Sequence, residues 1–338
     1  MPVYGISGSV PEPMTVFIYD NTTGDLLKRK NIPQAGTFSE FISHDPQQVT
    51  LVGKPTTPDR QATVFNNVTT VSGITYDSDL WFELSDTTVY WYAGGPTGIV
   101  YGDKMYTLSG ANWYSWDLLN STPTLLAALP ATYPNRAGYR LAVYNGKIYI
   151  YGGWTPSGGY YFTDLYAYDV ANNTWATLNS GGSYRKEHGM VVCNDNIYIW
   201  GGSPSNHVPL NTVYRYNITN SAWYQLPNCP VAKSKIGYTV DAGNEIIYMN
   251  GQSDHYKYDI ASGNWTQLAS SINKSDHTLV YYNGKVYLYG GISLYEYSIL
   301  NNTWNQKANS ISSNSYHSSF IYNSKMLVWA GDLWEYLI

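Results

Sequence analysis

Charge is scarce in this 338-residue chain: Asp, Glu, Lys and Arg make up 13% of it, with 24 acids against 19 Lys and Arg and a net charge of −5. That is about half the charged share of an ordinary soluble domain. There is no basic tract, so the counterion-driven attraction that holds proteins to nucleic acid is not expected. Cysteine is nearly absent. Cys193 and Cys229 read as two buried or free thiols, since a disulfide framework would show more. No run approaches the roughly 20 apolar residues that cross a bilayer, and membrane insertion is not expected. The N-terminal residues Met1 to Val10 have neither the basic nor the apolar segment of a secretory signal. The expectation is a protein made in the cytoplasm that stays soluble. Leu and the helix-forming charged residues are also few, which disfavours long helices and coiled coil. Tyr is abundant, with 35 copies, and aromatics reach 16%. With Thr and Val also plentiful, the composition favours β-structure. An apolar share of 43% is enough for a core and excludes general disorder.

A short string recurs. Lys147-Ile-Tyr-Ile-Tyr-Gly-Gly153 returns as Asn196-Ile-Tyr-Ile-Trp-Gly-Gly202, as Ile246-Ile-Tyr-Met-Asn-Gly251, as Lys285-Val-Tyr-Leu-Tyr-Gly-Gly291 and as Lys325-Met-Leu-Val-Trp-Ala-Gly331. A weaker copy ends at Gly110, and the closing glycines are spaced by 43, 49, 49, 40 and 40 residues. A fixed period of this size marks a repeat architecture. Each copy is preceded by a second alternating run, such as Leu141–Tyr144 or Met190–Cys193. In two units the runs join through Asn-Gly, at Asn145-Gly146 and Asn283-Gly284, a dipeptide suited to a type I′ hairpin. After the glycines comes a run with Tyr, and a Trp follows seven residues later: Tyr168/Trp175, Tyr216/Trp223, Tyr258/Trp265 and Tyr297/Trp304. Each unit therefore reads as four short antiparallel strands, A to D. One such sheet cannot bury both faces, but neighbours packed radially can cover them. The aromatic pairs would fill the wedges between sheets.

The double Gly after an apolar strand and the spaced Tyr…Trp resemble the kelch repeat, over about residues 98–338. The match is weaker where Asn250 and Ala330 replace the first Gly, and near Gly110, where Pro123 stands seven residues after Trp116. The resemblance implies a β-propeller and a scaffold rather than a reaction. The expected blades are 98–129, 138–178, 187–226, 236–268, 276–307 and 316–338. The last lacks a fourth strand, which the N-terminal side should supply from residues 79–92, with Val89–Tyr92 reading as an outer strand. The expectation is thus all-β: a propeller of six blades over 74–338 after a small β-sandwich over 1–73. In that first segment the expected strands are Val3–Val10, Thr15–Tyr19, Leu26–Lys30, Thr37–Ile42, Gln48–Gly53 and Ala62–Val71. Their order resembles carboxypeptidase-regulatory-like sandwich modules, which recur in structural proteins of tailed phages.

Eight N-x-[ST] sequons occur. Those at Asn172, Asn217, Asn264 and Asn301 fall in turns beside a Trp, where Asn suits the left-handed conformation and caps the turn. They read as turns rather than glycosylation sites. Catalytic signatures are missing: there is no sialidase-type Ser-x-Asp-x-Gly-x-x-Trp box, no H-E-x-x-H, no G-x-S-x-G and no P-loop. Neither Cys is placed to build a galactose-oxidase-like copper site. No metal and no cofactor is expected, and the protein reads as non-enzymatic.

Two sets of residues remain as binding candidates. His188, His277 and His317 open equivalent innermost strands, with Arg140 near the same place. They form either a polar ring in the central channel or hydrogen bonds to neighbouring blades. The long B–C loops Trp154–Thr163 and Ser203–Leu210 share a face with the D–A loop Asn179–Lys186. There Trp154, Tyr160, Tyr161, Tyr184, Arg185 and His207 could form a platform for sugars or protein surfaces. The function this supports is a phage virion component, a capsid or tail decoration or a host-surface adhesin. Its N-terminal domain would hold other virion proteins, and the propeller would meet host glycans or proteins. The alternatives are an intracellular kelch interaction module and a carbohydrate-active propeller such as a sugar mutarotase.

Overall fold

Alternation of apolar and polar residues in runs of about five, punctuated by Asn, Asp and Gly, dictates short strands and tight turns. The computed structural model describes residues 98–338 apart from 110–111, 119–122, 131–135, 157–158, 206, 272–276, 291–292, 310–316, 330–332 and 338. It also describes the backbone of eight strands between residues 3 and 85. No helix occurs among the described residues. The chain divides into two units, one of residues 1–87 with 332–338, the other of 88–331.

The smaller unit holds β1 (Val3–Val10), β2 (Met14–Asp20), β3 (Leu26–Ile32), β4 (Gly36–Ile42), β5 (Val49–Pro55), β6 (Thr63–Phe65), β7 (Val71–Ile74) and β8 (Trp81–Ser85). Strands β1 to β7 form two antiparallel sheets, β4-β1-β7 and β3-β2-β5-β6. The expected strand Ala62–Val71 is divided into β6 and β7.

The larger unit contains five four-stranded blades, each a meander of consecutive strands. Blade 1 is β9 (Gly98–Tyr101), β10 (Lys104–Ser109), β11 (Asn112–Asp117) and β12 (Pro123–Leu125). Blade 2 is β13 (Arg140–Tyr144), β14 (Lys147–Tyr151), β15 (Leu165–Asp169) and β16 (Thr174–Leu178). Blade 3 is β17 (Gly189–Cys193), β18 (Asn196–Trp200), β19 (Val213–Asn217) and β20 (Ala222–Leu226). Blade 4 is β21 (Gly237–Asp241), β22 (Ile246–Gly251), β23 (Asp254–Asp259) and β24 (Asn264–Gln267). Blade 5 is β25 (His277–Tyr282), β26 (Lys285–Gly290), β27 (Ser293–Ser298) and β28 (Thr303–Asn309). A further hairpin follows, β29 (Ser318–Tyr322) with β30 (Lys325–Trp329). Among the described residues the larger unit therefore holds five complete blades, not the six expected. The last strand, β31 (Leu333–Leu337), belongs to the smaller unit and pairs there with β8. Trp81–Ser85 lies within the stretch 79–92 that was expected to supply a strand to the last unit, while the expected outer strand Val89–Tyr92 lies outside the described residues.

Hairpin β29–β30 meets blade 1 and brings the two ends of the larger unit together. The Gly98 N–H donates to Ser318 Oγ (3.1 Å) and the Tyr322 hydroxyl to Asp103 (2.6 Å). Trp116 and Trp329 pack with ring centroids 6.1 Å apart.

Seven-residue spacing places each Tyr directly opposite its Trp across strands C and D. Ring centroids in these four pairs lie 4.8–5.1 Å apart. The pairs do more than fill space. Trp175 Nε1 donates to the Ala127 carbonyl of blade 1 (3.0 Å), while Asn173 accepts from the Ala127 N–H (2.9 Å) and from the Tyr168 hydroxyl (2.8 Å). Trp304 and Asn302 grip Ala269 in the same way. Each grip satisfies both backbone groups of the residue two positions past the preceding blade's outer strand. The residues at positive φ are Asn173 and Asn302, each at 53°, one position beyond the sequon residues Asn172 and Asn301.

The paired glycines have a separate task. Gly153 has φ 94° and Gly202 has φ 81°. Their N–H groups donate to the Arg185 and Lys233 carbonyls of the following connections, at 2.9 and 2.8 Å. A Cβ on Gly202 would stand 2.6 Å from the Lys186 carbonyl oxygen. Glycine is needed for both the conformation and the close approach.

Candidate functional site

The loop face over blades 2 to 4 is built on a repeated cationic clamp. Arg136, Arg185 and Lys233 each stand four residues before an innermost strand, and each reaches the B–C junction of its own blade. Arg136 is fully buried and forms a two-pronged ion pair with Asp164 (2.7 and 2.8 Å). It also donates to the Gly152 carbonyl and lies 3.9 Å from the centre of the Phe162 ring. Arg185 donates to the Gly201 carbonyl (3.0 Å), to Thr212 Oγ1 (2.9 Å) and to Ser183 Oγ (2.7 Å). Lys233 pairs with Asp254 at 3.0 Å. Asp164, Thr212 and Asp254 hold equivalent places next to the third strand. The sequence carries a signal for this clamp, a basic residue four before strand A.

The clamp divides the expected platform. Arg185 has no exposed surface; it is a support beneath the loops and not part of their outer face. Burial lowers its pKa, although the nearby hydroxyls of Tyr151 and Tyr214 oppose that shift. Trp154 is half-buried and held on both sides, with Tyr161 stacked 6.0 Å away and the Lys186 ammonium 4.2 Å from its ring centre. Bridges to Ala137 and Tyr161 fix its backbone. Tyr160, Tyr184 and Val208 are 55%, 57% and 59% exposed, and His207 is exposed at φ 61°. These four are displayed; Trp154, Tyr161 and Arg185 hold them up.

The three channel candidates are all buried. His317 Nε2 meets the Tyr289 carbonyl (2.9 Å) and His277 Nε2 the Asn250 carbonyl (3.1 Å), each on the preceding blade. His188 packs edge-on against Tyr151 of the preceding blade with centroids 5.4 Å apart, and neither ring nitrogen has a hydrogen-bond partner among the described residues. In blade 2 Tyr139 takes the same place, and its hydroxyl accepts from the Leu108 N–H (3.3 Å). Burial, seconded by Arg140 and then Arg185, holds the His188 pKa well below the usual imidazole value. Arg140 is half-buried one residue further on and donates to the Tyr139 carbonyl. The structure aims these histidines at neighbouring blades.

His255 escaped the sequence reading. It fills a place that Leu165, Val213 and Leu294 fill in other blades and is fully buried. It lies against Tyr297 and Trp304, with centroids 4.6 and 5.0 Å away. Burial depresses its pKa to about 3. Cys193 and Cys229 are free thiols in one core cluster between blades 3 and 4. Burial raises both pKa values, that of Cys229 to about 11. Such thiols are poor nucleophiles.

Residues 95–291 match the family model described as the KLHDC2/KLHL20/DRC7 Kelch-repeats domain. No curated protein matches the chain. Among solved structures, one titled "Structure of YjhT" superposes with a TM-score of 0.63 at 15% sequence identity, covering 74% of this chain and 94% of that one. That likeness is one of fold.

Proposed function

Because the chain belongs to the kelch-repeat family, a family of β-propellers, we propose that it is a non-enzymatic binding propeller of a phage virion. The N-terminal sheets attach it to other virion proteins, and the loops over blades 2 and 3 meet the host surface. The two N-terminal sheets would pack as the small sandwich of a virion anchor.

One observation carries the binding role. Fully buried arginines pin the B–C loops from below, while Tyr160, Tyr184, His207 and Val208 stand exposed above them. Rigid support reduces the ordering entropy lost on binding, and tyrosines offer broad amphipathic contact. In the test, the full chain and a Tyr160→Ser/Tyr184→Ser variant are titrated onto intact host cells and isolated envelope, and purified particles are probed for the protein. The expected result is presence in particles and envelope binding at least about tenfold weaker in the variant. Equal binding by both proteins overturns the loop-face assignment. Absence from particles, with one stoichiometric cellular partner in its place, overturns the virion assignment in favour of an intracellular interaction module.

A further inference from the structure

Charge is segregated between the two faces of the larger unit. The A–B and C–D turns, with their flanking strand residues, carry seven carboxylates against four lysines. The opposite loops over blades 2 to 4 carry five cations against three carboxylates, in a chain whose net charge is −5. Two of those three carboxylates are already engaged, Asp164 by Arg136 and Asp254 by Lys233. Arg185 and Lys186 are adjacent, and neither has an ion-pair partner among the described residues. Arg185 is held by carbonyls, hydroxyls and the Tyr214 ring 5.2 Å away, none of them anionic, so its positive charge stays beneath the loops. Lys186 is buried along its stem, with its ammonium against Trp154. Low-dielectric surroundings let such charges act at longer range than they would in water.

Exposed rings flank this pair. Tyr184 precedes it in the chain, Tyr160 rises from the B–C loop of blade 2, and His207 lies on that of blade 3. The exposed rings thus come from two loops and the connection between them, several separate contact points of the kind a polymer can use. Deepening the loop-face reading, on which this rests, we propose that the loops over blades 2 and 3 bind an acidic polysaccharide. Its carboxylates or phosphates lie in the field of Arg185 and Lys186, and its sugar rings pack on Tyr160 and Tyr184.

The test titrates the full chain with polygalacturonate, a poly(glycerol phosphate), neutral dextran and poly-glutamate. The proteins compared are wild type, Lys186→Gln, Lys186→Arg and Tyr184→Ser. The expected result is binding of at least one acidic polymer but not of dextran, weakened by added salt. Lys186→Gln and Tyr184→Ser should each weaken it about tenfold, and Lys186→Arg should restore it. The Arg variant separates loss of charge from loss of packing. Poly-glutamate bound as tightly as the acidic sugars overturns the saccharide assignment. Dextran binding that Tyr184→Ser weakens and Lys186→Gln does not overturns the acidic class while the loop face stands. Binding untouched by all variants, or no binding of any polymer, overturns the proposal; envelope binding by the loop-variant pair above then decides the loop face separately.

Discussion

Replacing Asp164 with alanine should lower the stability of the protein by about 3–5 kcal/mol, the usual effect of leaving a buried charge without its partner. Arg136 is fully buried, and Asp164 is its one carboxylate in the clamp of blade 2. Its other contacts, the Gly152 carbonyl and the Phe162 ring, cannot offset the charge. The next blade solves the same problem differently: Arg185 is held without a carboxylate, by Thr212, Ser183 and Gly201. Asp164→Thr should therefore recover part of what Asp164→Ala loses. Chemical denaturation of the three proteins measures both effects. A loss below about 1 kcal/mol in Asp164→Ala would place the pair among ordinary surface ion pairs and contradict the clamp.

Acid should destabilise the protein steeply below the ordinary imidazole pKa of about 6.5. His188 and His255 are buried, and both folded-state pKa values are depressed, that of His255 to about 3, by burial in the first place. In the unfolded chain both titrate normally. Between the two values the unfolded state binds protons that the folded state refuses, so stability is complete above pH ~6.5 and falls as pH is lowered. The slope is about 1.4 kcal/mol per pH unit for each histidine. From pH 6.5 to 4.5 His255 alone removes roughly 2–3 kcal/mol, and His188 adds to that loss in the same direction. Asp169 and Asp259, whose pKa values are lowered by hydrogen bonds from Asn172 and Ser262, act in the same direction at lower pH. Denaturation at a series of pH values checks this, with His188→Gln expected to make the slope below pH 6.5 shallower. An unchanged slope in that variant would mean that His188 is protonated in the folded protein.

The repeat made much of this architecture legible. Strand C and its Tyr, strand D and its Trp, and the Asn-Gly hairpins were fixed by spacing alone. Asn145 and Gly146 have φ 46° and 72°, as a type I′ turn requires. The larger unit departs from a simple count because its last hairpin has only two strands of its own, and β31 pairs with β8 from far upstream. The missing fourth strand of the last unit pointed to residues 79–92, and β8 lies within them, but Trp81–Ser85 has neither glycines nor turn signals in register with the repeat to single it out. The loop face was legible as a set of residues but not in its division of labour. Arg185 and Tyr184 are neighbours in sequence, yet one is fully buried and the other exposed. Alternation along an irregular loop has no fixed period, so side-chain direction there cannot be read from position. His255 was missed for the opposite reason: a polar residue in a core register looks like a surface position until the strand pairing is known.

The central claim is that the wedges of the larger unit keep one another dry in a closed circle, with hairpin β29–β30 as the link between blade 5 and blade 1. Hydrogen exchange of the whole chain under conditions where opening is rate-limiting tests this most directly. The account predicts that the amides of β14, β18, β22, β26 and β30 open together at a single rate. Blade-by-blade exchange, with β29–β30 and β9–β12 opening first like the free ends of a stack, would contradict it.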